Sequence, residues 1–177
     1  MTHLRTRAVH AGQHPDPASG AIAMPITQST AFAYGSLERA EAAAAFASGT
    51  AATAATVLAL LRPGDELVFL GPLYGGTEGL LRSLGERWGL RVTDGTASGL
   101  AAALGPATRM VWVEPLTNPS LRMHDLAQVA ATARAHGATT VADNTFCTPC
   151  LTRPLAHGID LVVHSMTKYL GGHGDAT

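Results

Sequence analysis

Lys168 closes the stretch Val162-Val163-His164-Ser165-Met166-Thr167-Lys168, and the apolar run Leu161 to Val163 predicts a short buried strand ahead of it. The Ser-x-Thr-Lys that follows predicts a turn, with Gly171, Gly172 and Gly174 close behind. A lysine at the end of a buried strand is poorly placed to act as a solubilising surface charge. Partly desolvated there, its amine keeps a lone pair for Schiff-base formation with a carbonyl. The hydroxyls of Ser165 and Thr167 and the glycine backbone could hold a phosphate beside it. Other positions offer matching chemistry. Ser48, ahead of Gly49 and Thr50, is a natural N-cap, and the free N–H groups of a helix start attract an anion. Asp143 ends the apolar Thr139 to Ala142, where a carboxylate is costly unless a cation or hydrogen-bond donors meet it. A plainer use for Asp143 is to cap the next turn through Asn144 and Thr145. Tyr74 lies among glycines, where a flat ring can stack on another, and Asn118 sits in the loop Pro115 to Pro119.

The elements that must position these residues are legible as an alternation. An alanine-rich helix is expected over Leu37 to Phe46 and a second over Thr50 to Leu61, separated by Ser48-Gly49 and closed by the turn Arg62-Pro63-Gly64-Asp65. Strands are expected at Glu66 to Leu70, Leu90 to Thr93, Met110 to Glu114, Thr139 to Ala142 and Leu161 to Val163. Helices are expected at Thr77 to Trp88, Ala97 to Leu104, Leu126 to His136 and, as a short piece, Arg153 to His157. Apolar strands alternating with helices imply an α/β fold: a mainly parallel sheet with helices on both faces. In such sheets ligands lie at the carboxyl ends of the strands. Tyr74, Glu114, Asn118, Asp143, Ser165 and Lys168 all fall just past predicted strand ends. Residues 1–36, punctuated by Pro15, Pro17, Gly20 and Pro25, predict an arm with little regular structure, of the kind that often packs on a neighbouring subunit. Residues 37–177 form the sheet-bearing part.

Bulk properties narrow the function. The chain is 46% hydrophobic and 14% charged with a net charge of −1, which gives a polyanion such as nucleic acid little to hold. Its eight histidines are scattered without metal-ligand spacing, so no metal is expected. No apolar run approaches a membrane span and no secretory signal is visible, so the protein is expected to be cytoplasmic. Cys147-Thr148-Pro149-Cys150 could be a redox pair, but small-residue packing is the commoner use of such a pair.

Taken together, the constellation meets the needs of pyridoxal 5'-phosphate. That cofactor requires a lysine for its aldehyde, a carboxylate for its ring nitrogen, donors for its phosphate and a flat side chain over its ring. The chain also resembles the cystathionine- and methionine-metabolising family of pyridoxal phosphate enzymes. The matching stretches run in family order from Ala8-Val9-His10-Ala11-Gly12 through Ala47-Ser48-Gly49, Arg62-Pro63-Gly64-Asp65, Leu73-Tyr74-Gly75-Gly76-Thr77, Asn118-Pro119, Asp143-Asn144-Thr145-Phe146 and Arg153-Pro154-Leu155 to His164-Ser165-Met166-Thr167-Lys168-Tyr169-Leu170. The resemblance implies the large domain of an aspartate-aminotransferase-like fold. It implies that Lys168 holds the cofactor covalently, Asp143 pairs with the pyridine nitrogen, and Tyr74 stacks on the ring and acts on the leaving group. Gly49 and Thr50, next to Ser48, would hold the phosphate with Ser165 and Thr167. Asn118 would approach the phenolic oxygen or the substrate carboxylate.

The chain also departs from the family pattern. Thr50 stands where methionine is usual, and Gly76 where methionine γ-lyases typically carry cysteine. The family's Tyr-Ser-Arg and Asn-Pro-Thr segment is missing between Tyr34 and the alanine-rich stretch. The sequence stops at Thr177, before the remainder of the large domain and the C-terminal domain that family members carry. The resemblance implies a carbon–sulfur lyase acting by γ-elimination on a sulfur amino acid such as methionine or cystathionine. The alternatives are a γ-replacement transferase (cystathionine γ-synthase or homoserine sulfhydrylase) and an inactive fragment. Family members assemble as homotetramers, so a homo-oligomer is expected.

Overall fold

The computed structural model describes residues 38–171, so the predicted arm over residues 1–36 lies outside the described residues. Eleven elements follow one another. They are α1 (Gly49–Leu60), β1 (Glu66–Leu70), α2 (Gly75–Trp88), β2 (Arg91–Asp94), α3 (Leu100–Ala103), β3 (Thr108–Val113), α4 (Leu126–Ala135), β4 (Thr139–Asp143), α5 (Thr148–Leu151), a 3-10 turn (Pro154–His157) and β5 (Leu161–Val163). The strands form one sheet in the order β2-β1-β3-β4-β5, and every neighbouring pair is parallel.

Side-chain alternation along the strands explains why both faces are covered. Leu67, Phe69, Met110, Trp112 and Val141 pack with Val57 and Leu61 at α1 and with Leu81 and Leu84 of α2. Their alternates Leu70, Val111, Val113 and Ala142 pack with Leu126, Val129, Ala130 and Ala133 of α4. Leu67, Val68, Met110, Val111, Trp112 and Val113 are fully buried. Burying each such side chain is worth about 1.5–3 kcal/mol, which makes the two central strands the most firmly held part of the sheet.

The register is pinned at the end of the sheet away from the chemistry. Glu66 accepts hydrogen bonds from Thr93 of β2 (2.8 Å) and Thr108 of β3 (2.6 Å), tying β1 to both neighbours. Asp160, just before β5, accepts from the Thr140 N–H (2.8 Å) and hydroxyl (2.6 Å) of β4. The helices end as their sequences dictate. Gly89 (φ +67°) and Gly137 (φ +70°) take the left-handed conformation after α2 and α4, and Asp125 caps α4 by accepting from the Gln128 N–H.

Three expectations are corrected. Residues 39–46 are not helical, because the segment is mostly exposed and offers no apolar face to bury. Alanine propensity alone does not hold so short a helix in water. Thr148–Leu151 forms a helical turn where the sequence predicts no element. Among the described residues β5 is an edge strand, not a buried one: Val163 is buried but Leu161 is 38% exposed, and β4 alone pairs with it.

Candidate functional site

The chain runs from β1 to β2 at one edge, then returns past β1 to β3 on the other side. The loops leaving β1 and β3 therefore diverge, and a crevice opens at their carboxyl ends. A cavity of about 430 Å³ lies there, within the usual range for a small-molecule site. It is lined by Ser48, Gly49, Thr50, Tyr74, Asn118, Asp143, Ser165, Thr167 and Lys168, so all nine residues expected to form a site from the sequence meet in it. They come from the α1 start, the loops after β1 and β3, the end of β4 and the turn after β5. A second cavity of about 520 Å³, between α3 and α4, includes Leu100, His124 and Gln128. It gathers no amine, and its Asp125 is already committed to capping α4.

The α1 end of the crevice is built for an anion. The Ser48 hydroxyl accepts from the Ala51 N–H at 3.0 Å and the Ser48 carbonyl accepts from Ala52, so the cap is satisfied while the Gly49 and Thr50 N–H groups have no intrahelical acceptor. Ser48 therefore serves as the cap, and the anion-facing donors are its neighbours. Gly49 is required by space. A Cβ there would lie 2.8 Å from the Ser165 Cβ, so only glycine lets α1 start against the Ser165 turn. On the other side of that contact the Ser165 N–H donates to the Thr145 hydroxyl (2.8 Å).

Asp143 is partly buried at the end of β4. Its Oδ1 accepts from the Thr145 N–H (3.1 Å) and the Thr145 hydroxyl (2.5 Å), so the turn-capping role and the pocket-lining position coexist. Burial pushes its carboxyl above the usual range, while the Thr145 bonds and the charge of His164 pull it down. A cationic ring nitrogen placed against it would relieve that burial cost.

Tyr74 is half exposed, and its backbone N–H donates to Glu114 Oε1 at 2.7 Å. Its ring lies across Gly76: a Cβ at position 76 would come within 2.5 Å of the ring. Lys168 is exposed at the pocket rim, with its N–H donating to the Ser165 carbonyl. This corrects the expectation of a partly desolvated amine. Lys168 is also the only lysine among the 177 residues.

Two acidic residues acquire parts that the sequence did not suggest. Glu114, buried just past β3, is pushed up to about 7 by burial. Hydrogen bonds from the Tyr74 and Asn118 backbones oppose that rise, and Asp143 adds to it. Its place past a strand end was readable, but not that it ties two pocket loops together. Glu38 is buried and bonds to Asn144 and His164, more than a hundred positions away; no local pattern signals such a contact. Cys147 is buried, Cys150 is exposed, and both are free. Burial pushes the Cys147 thiol up, the reverse of what a redox thiolate needs.

Residues 33–177 match the family described as Cys/Met metabolism PLP-dependent enzyme. The chain belongs to that family. It is 41% identical over 210 residues to an L-methionine gamma-lyase of Pseudomonas putida, covering 97% of this chain and 52% of the relative. It is 38% identical over 200 residues to a cystathionine gamma-synthase of Mycobacterium tuberculosis, covering 96% and 52%. The crystal structure of metB from Corynebacterium glutamicum superposes with a TM-score of 0.79 at 35% identity, over 100% of this chain and 54% of that one. The chain thus spans about half the length of the relatives it matches. Each alignment is also longer than the 177 residues available, so the relatives carry residues inside the matched region that have no counterpart here. Pyridoxal 5'-phosphate is the cofactor of this family. The residues present fit it: free helix-start donors beside a glycine that cannot carry a side chain, a carboxylate in need of a cation, an amine at the rim and an aromatic ring.

Proposed function

We propose that the protein acts in a carbon–sulfur lyase reaction, removing the γ-substituent of a sulfur amino acid such as methionine or cystathionine. The observation that carries this reading is the convergence of Lys168, Asp143, Tyr74 and the α1 start on one crevice at the sheet's switch point. When bound, pyridoxal phosphate supplies the electron sink for such chemistry. In this reading the Gly49 and Thr50 N–H groups, with Ser165 and Thr167, hold the phosphate. Asp143 would accept a hydrogen bond from the protonated ring nitrogen, and Asn118 would approach the phenolic oxygen or the substrate carboxylate. Lys168 Nζ would hold the cofactor and move protons between Cα and Cβ of the substrate, and Tyr74 would assist departure of the γ-group. The same reading makes the protein a cytoplasmic homo-oligomer.

A second reading, γ-replacement, is favoured by the match of similar extent to a cystathionine gamma-synthase. Two measurements separate the possibilities. Borohydride reduction of the protein with pyridoxal phosphate should place one adduct on Lys168 by peptide mass spectrometry, absent in Lys168→Ala. No adduct would leave the inactive-fragment reading. Release of 2-oxobutanoate from methionine or cystathionine without a thiol acceptor supports the lyase. Thioether formation from acylated homoserine, with no keto acid, supports replacement instead.

A further inference from the structure

The strand ends of the site have a front and a back. Backbone alternation turns Asp143, Thr145 and Ser165 toward the crevice, where the Thr145 hydroxyl links the other two. Their chain neighbours Asn144 and His164 are tied together by Glu38, whose Oε1 accepts from Asn144 Nδ2 (3.1 Å) and His164 Nε2 (2.8 Å). Asn144 is fully buried, Glu38 is 5% exposed, and the His164 side chain is 11% exposed. The Asn144 N–H also donates to the Val163 carbonyl, so this knot sits where β4 and β5 end.

As a stabilising device the knot is poor. Among the described residues, Glu38 Oε2, Asn144 Oδ1 and His164 Nδ1 are buried with no hydrogen-bond partner, and each orphan of this kind costs stability. Apolar side chains of similar volume would hold a strand end at least as well. What apolar chains would not do is orient Asn144 and His164, or bring charge to the Asp143 side.

We propose that Glu38 is a positioning residue for this site: its carboxylate ties Asn144 to His164, which fixes where Asp143 and Ser165 present their polar atoms and keeps His164 at the strand end next to Asp143. The inference rests on the placing of Asp143 and Ser165 in the cofactor site. Its test needs no cofactor, so the two stand or fall separately. Among the described residues, the titratable groups around Asp143 are Tyr74 from beyond β1, Glu114 from the end of β3, and His164 and Lys168 from beyond β5.

The experiment uses the full chain without cofactor. Side-chain carboxyl NMR follows Asp143 against pH in wild type and His164→Gln; the glutamine amide still donates to Glu38 but carries no charge. The Asp143 midpoint should rise in His164→Gln, a change that a merely structural histidine would not produce. Amide exchange is compared in wild type, Glu38→Ala and Glu38→Gln. Exchange at Asn144 and Ser165 should speed up at least tenfold in Glu38→Ala, with Val68 and Val111 unchanged. It should return toward wild type in Glu38→Gln, which keeps an acceptor. An unmoved Asp143 midpoint, or equal exchange in Glu38→Ala and wild type, overturns the proposal. If Glu38→Ala fails to fold, the His164→Gln midpoint decides.

Discussion

Glu114 and Asp143 are two carboxylates in one crevice with different supports. Asp143 is met by a hydroxyl, an N–H and the charge of His164; Glu114 is met by two backbone N–H groups and the opposing charge of Asp143. Glu114 rises from 4.5 to about 7 on folding, so the folded chain holds a proton that the unfolded chain releases earlier. Stability from this group is therefore fully present below about pH 4.5 and is lost as pH climbs through about 7, by roughly 3 kcal/mol. Glu114→Gln should flatten the fall in urea-unfolding free energy between pH 5 and pH 8. An unchanged slope would assign the titration to another group. At this scale the sequence showed which residues meet in the crevice, because Lys168, Asp143 and Tyr74 sit beside turn residues at strand ends. It did not show Glu38 or the tie made by Glu114, because both depend on contacts between distant segments.

At the scale of the element, α1 matters most. Its first turn carries both the cap and the free backbone donors, and the Ser48 hydroxyl steadies that turn. Ser48→Ala should cost about 1 kcal/mol in thermal or urea unfolding. It should also weaken pyridoxal phosphate binding by fraying of the same turn, read as a faster off-rate by absorbance. Loss of stability without any change in cofactor release would separate the cap from the donors. The start of α1 was legible because Ser-Gly before an alanine-rich run is a strong local signal. The same reasoning misread residues 39–46, where the composition is equally helical but no apolar stripe faces a core. Propensity located the helix that tertiary packing rewards and a second one that it does not.

At the scale of the molecule, the alternating α/β order was readable because parallel strands buried on both faces give near-continuous apolar runs. The strand order was not. Nothing in the run of residues 66–94 says that β3 returns to the far side of β1, yet that return creates the crevice. Among the described residues β5 lies at the edge of the sheet, where Leu161 is partly exposed and Lys168 in the following turn is exposed. Among the described residues, no helix is long and apolar enough to cross a membrane.

The sole lysine on that turn makes the chain its own reporter. Within these 177 residues a protease that cuts after lysine has one possible site, and it is exposed: cleavage there should fall between Lys168 and Tyr169. An amine that is covalently occupied is no longer recognised as lysine, so reduction with the cofactor in place should render the chain uncleavable. The fraction of uncut chain on a mass spectrum then measures occupancy of the site directly, without substrate and without turnover.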